Sequence, residues 1–281
     1  MHLARIFAAI LLISLTFGAG LQVDRGHLKE TLRNTSLLVR VLLANFVVVP
    51  ALGVLLARLF ALPDAIATGF LLMAIAPGVP LVLSQVRKRG GSLGLAVEMA
   101  IVLPLISIVT VPLYATFVLP AGAGIDLPFG RFLTTMLLFQ LLPLLLGMLV
   151  GERAPAFAER LGRPLQLVFL LSALAVVVVL APMVAHSVAE IYGSHAMWAT
   201  LCLVLLSLGT GWLLGGPERS TRRILAIGTG LRNIGLCSLI ATTNFQNAEV
   251  TAAVITYLLF QAVIVSLFGV YFTKTAARAT A

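Results

Sequence analysis

Long apolar runs separated by short polar clusters set the character of this chain. Nine of them, at 4–22, 36–61, 64–86, 92–118, 131–151, 164–187, 194–215, 220–244 and 248–273, match the roughly 20 residues that a helix needs to cross a bilayer. The pattern predicts nine membrane helices. A membrane β-barrel would show short segments of alternating polarity, and the stretch from Leu170 to Leu180 does not alternate. The longest predicted connections are 23–35, 119–130 and 152–163, so the chain reads as one integral membrane domain over 1–281.

Composition agrees. Apolar types make up 60% of the chain, charged residues only 10%, and mean hydropathy is +1.09, against about 25% charged in soluble domains. A soluble enzyme, a disordered chain and a coiled coil are excluded. The net charge of +9 is read as topology, not as affinity for nucleic acid, because basic residues gather in cytoplasmic loops. With nine spans and the N-terminus outside, fourteen of the nineteen Lys and Arg fall on the inner side. Three fall on the outer side, and Arg40 and Arg232 lie within spans. Segment 4–22, with Arg5 ahead of an apolar core, also has the look of a secretory leader. Removing it would invert every later loop and the charge bias with them, so it is read as a span. The expected place is the inner membrane, with the C-terminus in the cytoplasm. Cys202 and Cys237 sit in apolar runs and read as small packing residues.

Two spans are broken near their middles. Segment three holds Pro77-Gly78-Val79-Pro80, and segment eight holds Gly228-Thr229-Gly230-Leu231-Arg232-Asn233. Proline removes a backbone donor and glycine loosens the helix. Either break alone could be a packing kink. Five spans apart, the two cross in opposite directions, which is the sequence pointer to an inverted-repeat secondary transporter. The halves would be approximately 1–118 and 131–273.

Several polar residues lie where lipid is expected: Asn45, Glu98, Gln140, Arg232, Asn233 and Gln261. Ionisable residues at this depth are costly and face a cavity or a partner. Glu98 and Arg232 are candidates for an ion pair, and Asn45, Glu98 and Arg232 are the candidate ion-coupling residues. Arg40 reads as snorkelling to the interface, and His186 and His195 as loop residues.

These motifs, in order, resemble the bile acid:sodium symporter family. The matching pieces are Phe17-Gly18-Ala19-Gly20-Leu21, Asn45-Phe46-Val47-Val48-Val49-Pro50, Ala76-Pro77-Gly78 with Gly91 and Leu95, Leu142-Pro143-Leu144-Leu145-Leu146-Gly147, and Gly230-Leu231-Arg232-Asn233-Ile234-Gly235-Leu236. The resemblance implies a fold like that of the sodium/proton antiporters, with a panel domain and a core domain whose two broken helices cross. It implies uptake of organic anions, such as bile acids, pantoate or other carboxylates, often driven by sodium. The chain looks like the nine-helix form that lacks the first helix. No cofactor is implied, and the partners are the bilayer and a small organic anion, with sodium or a proton as coupling ion. Gln261 resembles a polar, substrate-facing position of the last helix.

The departures from the family pattern concern sodium. Positions of its side-chain ligands are Val82, Leu83, Ala96 and Ala100 here, the acidic position is Gly228, and the glutamine of the second crossing is Arg232, with Asn45 as its partner in segment two. A hard cation needs oxygen ligands, and a guanidinium in the same place repels it. Arg232 is therefore read as a resident charge standing in for a bound cation, with no metal site assigned. The alternatives are a proton-coupled or sodium-independent carrier, an exporter, and a channel or receptor of the same fold. A membrane-embedded enzyme is disfavoured, since His-Glu-x-x-His, Gly-x-Ser-x-Gly and paired intramembrane aspartates are absent.

Overall fold

The computed structural model describes residues 2–23, 35–78, 93–120, 129–245 and 247–279. Among them lie ten helices: α1 (His2–Gly20), α2 (Thr35–Leu59), α3 (Asp64–Ile75), α4 (Leu93–Val118), α5 (Phe129–Arg153), α6 (Pro155–Gly193), α7 (Ala196–Leu214), α8 (Arg219–Gly230), α9 (Ile234–Asn244) and α10 (Ala248–Ala279). Seven are long and apolar enough to cross a membrane: α1, α2, α4, α5, α6, α7 and α10. The protein is thus an all-helical, polytopic membrane protein. Segments three and eight, which carry the predicted breaks, are the two that give short helices. Val79 and Pro80 lie outside the described residues, as do Val82, Leu83 and the basic cluster at 87–89.

One predicted loop is helical. Only Ala154 separates α5 from α6, and the two helices take in all the rest of the 152–163 stretch that was expected to be a connection. Glu159, Arg160 and Arg163 are exposed there. A helix that projects past the apolar layer can carry charge on its outside, so hydropathy ends before the helix does.

The helices associate in two groups. In the first, α1 packs along α5 and α6. Gly20 and Gly147 make this possible, because a Cβ on Gly20 would strike the backbone of Leu144, Gly147 and Met148, and one on Gly147 would strike the backbone of Phe17 and Gly20. Small residues allow such backbone approach where no water drives helices together. Two of the family-like sequence pieces therefore meet each other here. In the second group α7 packs on α8, α2 and α10, while α3 packs on α2 and α10. The groups touch through α1 against α9, α6 against α10, and α4 against α5. Leucines on α6, such as Leu170 and Leu171, face outward, as lipid-facing residues do.

Two of the long helices contain a π turn, at Leu43–Val48 in α2 and at Leu137–Leu141 in α5. Each ends two residues before a proline, Pro50 or Pro143. The proline lacks an N–H and its ring crowds the carbonyl four residues back, so the preceding turn widens. In α2 the freed Phe46 carbonyl accepts a hydrogen bond from the Tyr114 hydroxyl of α4, at 2.6 Å. Such turns cluster at functional positions, and these two hold the buried amides Asn45 and Gln140.

Candidate functional site

Where α3 ends, the chain leaves the helix at Ala76 and becomes extended. Where α8 ends, Leu231 is also extended. The two extended pieces lie antiparallel, with Pro77 opposite Arg232. Gly78 N–H donates to the Leu231 carbonyl and Asn233 N–H to the Ala76 carbonyl, both at 3.1 Å. A side chain at Gly78 would run into the backbone of Arg232 and Asn233, so the approach depends on glycine.

In this pairing the backbone N–H and C=O of Arg232 point away from the opposite strand. Gln261 of α10 takes both. Its Oε1 accepts from Arg232 N–H at 2.9 Å, and its Nε2 donates to the Arg232 carbonyl at 3.4 Å. The carboxamide serves as a third strand one residue long. Gln261, which the resemblance gives as a substrate-facing position, has its amide engaged with the Arg232 backbone.

Successive side chains of an extended strand point to opposite sides, and here they reach different surroundings. Asn233 caps α9, its Oδ1 accepting from Leu236 N–H at 3.1 Å. Its Nδ2 donates to Gln140 Oε1 at 3.0 Å, across to α5. Gln140 Nε2 in turn donates to the Pro104 carbonyl and to Ser107 Oγ of α4, each at 2.9 Å. Gln140 had been read only as a polar residue in a span; its signal was the proline three residues on.

Arg232 is only 1% exposed. Its Nε, Nη1 and Nη2 have no hydrogen-bond partner among the described residues. The Tyr257 hydroxyl of α10 and the Cys237 thiol of α9 lie against it, and Ser207 of α7 lies against Tyr257, but neither hydroxyl is aligned for a hydrogen bond. All three belong to the second helix group. Arg232 thus projects into that group while Asn233 projects towards α5.

The other predicted residues fall around this centre. Thr229, Gly228 and Gly230 are buried in the last turn of α8. Asn45 donates to the Val41 carbonyl at 3.0 Å and to Thr229 Oγ1 at 3.5 Å, leaving its own Oδ1 without a donor among the described residues. Its partner is therefore Thr229 and not Arg232. Glu98 is fully buried on α4, which packs against α8. Neither of its oxygens has a hydrogen-bond partner among the described residues, so Glu98 and Arg232 do not bond to each other.

The sequence model of the Sodium Bile acid symporter family matches residues 9–191, from α1 to near the end of α6. The chain belongs to this family. As a member of the sodium/bile acid symporter family it is a membrane transporter, not an enzyme. It is similar to the "Uncharacterized sodium-dependent transporter YocS" of Bacillus subtilis, 24% identical over 251 residues, covering 85% of this chain and 75% of that protein. It also resembles the P3 protein of Mus musculus, 28% identical over 145 residues, or 50% of this chain, and that of Homo sapiens, 28% identical over 161 residues, or 55%. The matched parts make up only 30% and 34% of those two proteins.

Proposed function

We propose that the protein is an alternating-access carrier of an organic anion in the bile acid, pantoate or oxo acid class, and that Arg232 supplies the positive charge that a bound cation supplies in sodium-driven relatives. Segments three and eight are then two broken membrane helices crossing at Ala76–Gly78 and Leu231–Asn233, the counterparts of one another in an inverted repeat of nine spans. The group of α1, α5 and α6 is the panel, and the other helices are the core that moves against it. The bias of basic residues along the sequence supports an inner-membrane protein with its N-terminus outside and its C-terminus in the cytoplasm.

One observation carries the reading: a fully enclosed guanidinium that makes no aligned side-chain hydrogen bond among the described residues, with the Tyr257 hydroxyl and the Cys237 thiol against it, at the pairing of the two breaks. An isolated buried charge costs several kcal/mol or more, and within a bilayer such residues mark substrate or ion paths. A fixed cation does not leave, so it supplies charge without needing a sodium gradient. The N-terminal end of α9, which begins two residues on, adds a partial positive charge.

Sodium symport is the second reading. The family and the description of the Bacillus subtilis relative favour it, and backbone carbonyls would then replace the missing ligands. Purified protein in liposomes separates the two. Uptake of labelled taurocholate, pantoate and pyruvate is measured with and without an inward sodium gradient. We expect uptake of at least one anion that is indifferent to sodium, and a loss of at least about tenfold in Arg232→Gln, the size of one charge-assisted hydrogen bond. Uptake that requires sodium, or that survives Arg232→Gln unchanged, overturns the resident-charge reading.

A further inference from the structure

The guanidinium of Arg232 sits among groups that can give hydrogen bonds but carry no negative charge. Tyr257 of α10 and Cys237 of α9 lie against it, and Ser207 of α7 lies against Tyr257. The Cys237 thiol is engaged elsewhere, donating to the Leu72 carbonyl at 3.4 Å. The Tyr257 and Ser207 hydroxyls make no aligned bond, and neither do the three guanidinium nitrogens. Among the described residues no carboxylate lies against Arg232. The surroundings therefore hold a full positive charge, a fork of N–H donors and two free hydroxyls, with nothing anionic to receive them.

We propose that, in the substrate-free protein, Arg232, Tyr257 and Ser207 hold a halide ion, chloride under physiological conditions, between α7, α9 and α10. This rests on the resident charge of the reading above and adds to it the counter-ion that lets the charge persist in a membrane.

Enclosure and chemistry select the occupant. Arg232 is 1% exposed, and its side chain points to the side of the paired segments away from α5. A monatomic ion needs little room there, whereas every organic anion brings a carbon skeleton. Water could accept the same hydrogen bonds, but it would leave the charge uncompensated, at a cost of several kcal/mol. A guanidinium is weakly hydrated, so it is best matched by an anion that also gives up water readily. Chloride and bromide do so more readily than fluoride. Bonds from the guanidinium and the hydroxyls to the ion are charge-assisted, roughly twice as strong as neutral ones. The Phe70 ring, with its centroid 6.3 Å from that of Tyr257, backs the phenol with apolar surface and keeps the site dry.

The test needs no transport. Protein is purified in detergent, and sodium isethionate is replaced stepwise by sodium chloride at constant ionic strength. The apparent melting temperature of the wild type rises and saturates, by about 3 °C, the order expected for a ligand at roughly ten times its dissociation constant. In Arg232→Met the same exchange of salts moves nothing. In Tyr257→Phe, which keeps the charge and loses one donor, half of the shift takes about tenfold more chloride, the size of one hydrogen bond to an ion. Bromide acts as chloride does, and fluoride does not.

No shift in the wild type overturns the proposal, and so does an equal shift in Arg232→Met. An order with fluoride above chloride and bromide overturns it as well, because that is the ranking of a general salt effect on burial. If Arg232→Met does not fold, the order of the halides and the midpoint in Tyr257→Phe decide, and an unchanged midpoint counts against the site. Stabilities of the wild type and its variants are otherwise compared in isethionate, where the charge has no counter-ion. Failure of the carrier reading shows separately, as no flux of taurocholate, pantoate or pyruvate in liposomes beside an intact halide shift.

Discussion

Asn233 and Arg232 are neighbours in one extended segment, yet they live under opposite conditions. Asn233 caps a helix and donates to Gln140, which is itself bonded to α4. Arg232 has its backbone held on both sides by Gln261, while the three nitrogens of its side chain go without a hydrogen-bond partner among the described residues. The first arrangement holds a shape. A fully satisfied buried network fixes one geometry and resists change. The second holds a charge in readiness. It costs stability, and under the proposed function an anionic substrate would offset that cost. A satisfied helix cap and an unsatisfied charge thus sit on adjacent residues, so substitutions on the two should move stability in opposite directions.

The largest effect is expected at the charge. Arg232→Met keeps an unbranched, though shorter, side chain and removes the uncompensated cation, so the protein should become more stable by about 2 kcal/mol or more while anion transport is lost. The apparent melting temperature in detergent, read beside liposome uptake, checks this. A lower melting temperature would mean that the guanidinium is paired, and the comparison would collapse.

A smaller effect of opposite sign is expected next door. Asn233→Ala removes a helix cap worth about 1 kcal/mol and leaves Gln140 Oε1 buried without its donor, so stability and transport should fall together. A variant that lost transport at unchanged melting temperature would move Asn233 out of the structural role assigned to it.

The smallest effect is expected at Tyr257. Its hydroxyl makes no hydrogen bond among the described residues, and its ring packs near Phe70 with centroids 6.3 Å apart. Tyr257→Phe keeps the ring, so stability should change by less than about 0.5 kcal/mol, below the lower range for a lost hydrogen bond. A larger loss would identify the hydroxyl as the partner of Arg232 and weaken the contrast from the other side.

Much of this was legible in the chain. The helical segments follow hydropathy, and Gly78 and Gly230 to Asn233 mark the places where α3 and α8 end. What could not be read has physical reasons. Hydropathy measures where lipid is, so it lost the first turns of α6, which carry Glu159, Arg160 and Arg163 in exposed positions. Gln261 entered through the resemblance of its position to a polar, substrate-facing one in the family's last helix; that its amide also completes the backbone pairing of a residue twenty-nine positions away is something no local pattern encodes. The suggested contact between Glu98 and Arg232 rested on opposite charge alone, which says nothing about geometry. Gln140 was visible as a residue but not as a link, because the π turn that orients it follows from Pro143 only once the helix is built.

The pairing of Ala76–Gly78 with Leu231–Asn233 also bears on insulation. Bare backbone amides and carbonyls at membrane depth draw in water, and a file of water lets protons leak down the membrane potential. Here the Gly78, Arg232 and Asn233 N–H groups and the Ala76, Leu231 and Arg232 carbonyls are met by the opposite segment or by Gln261. The paired segments can therefore stay dry, and the ends of α3 and α8 need not become a short circuit for the cell.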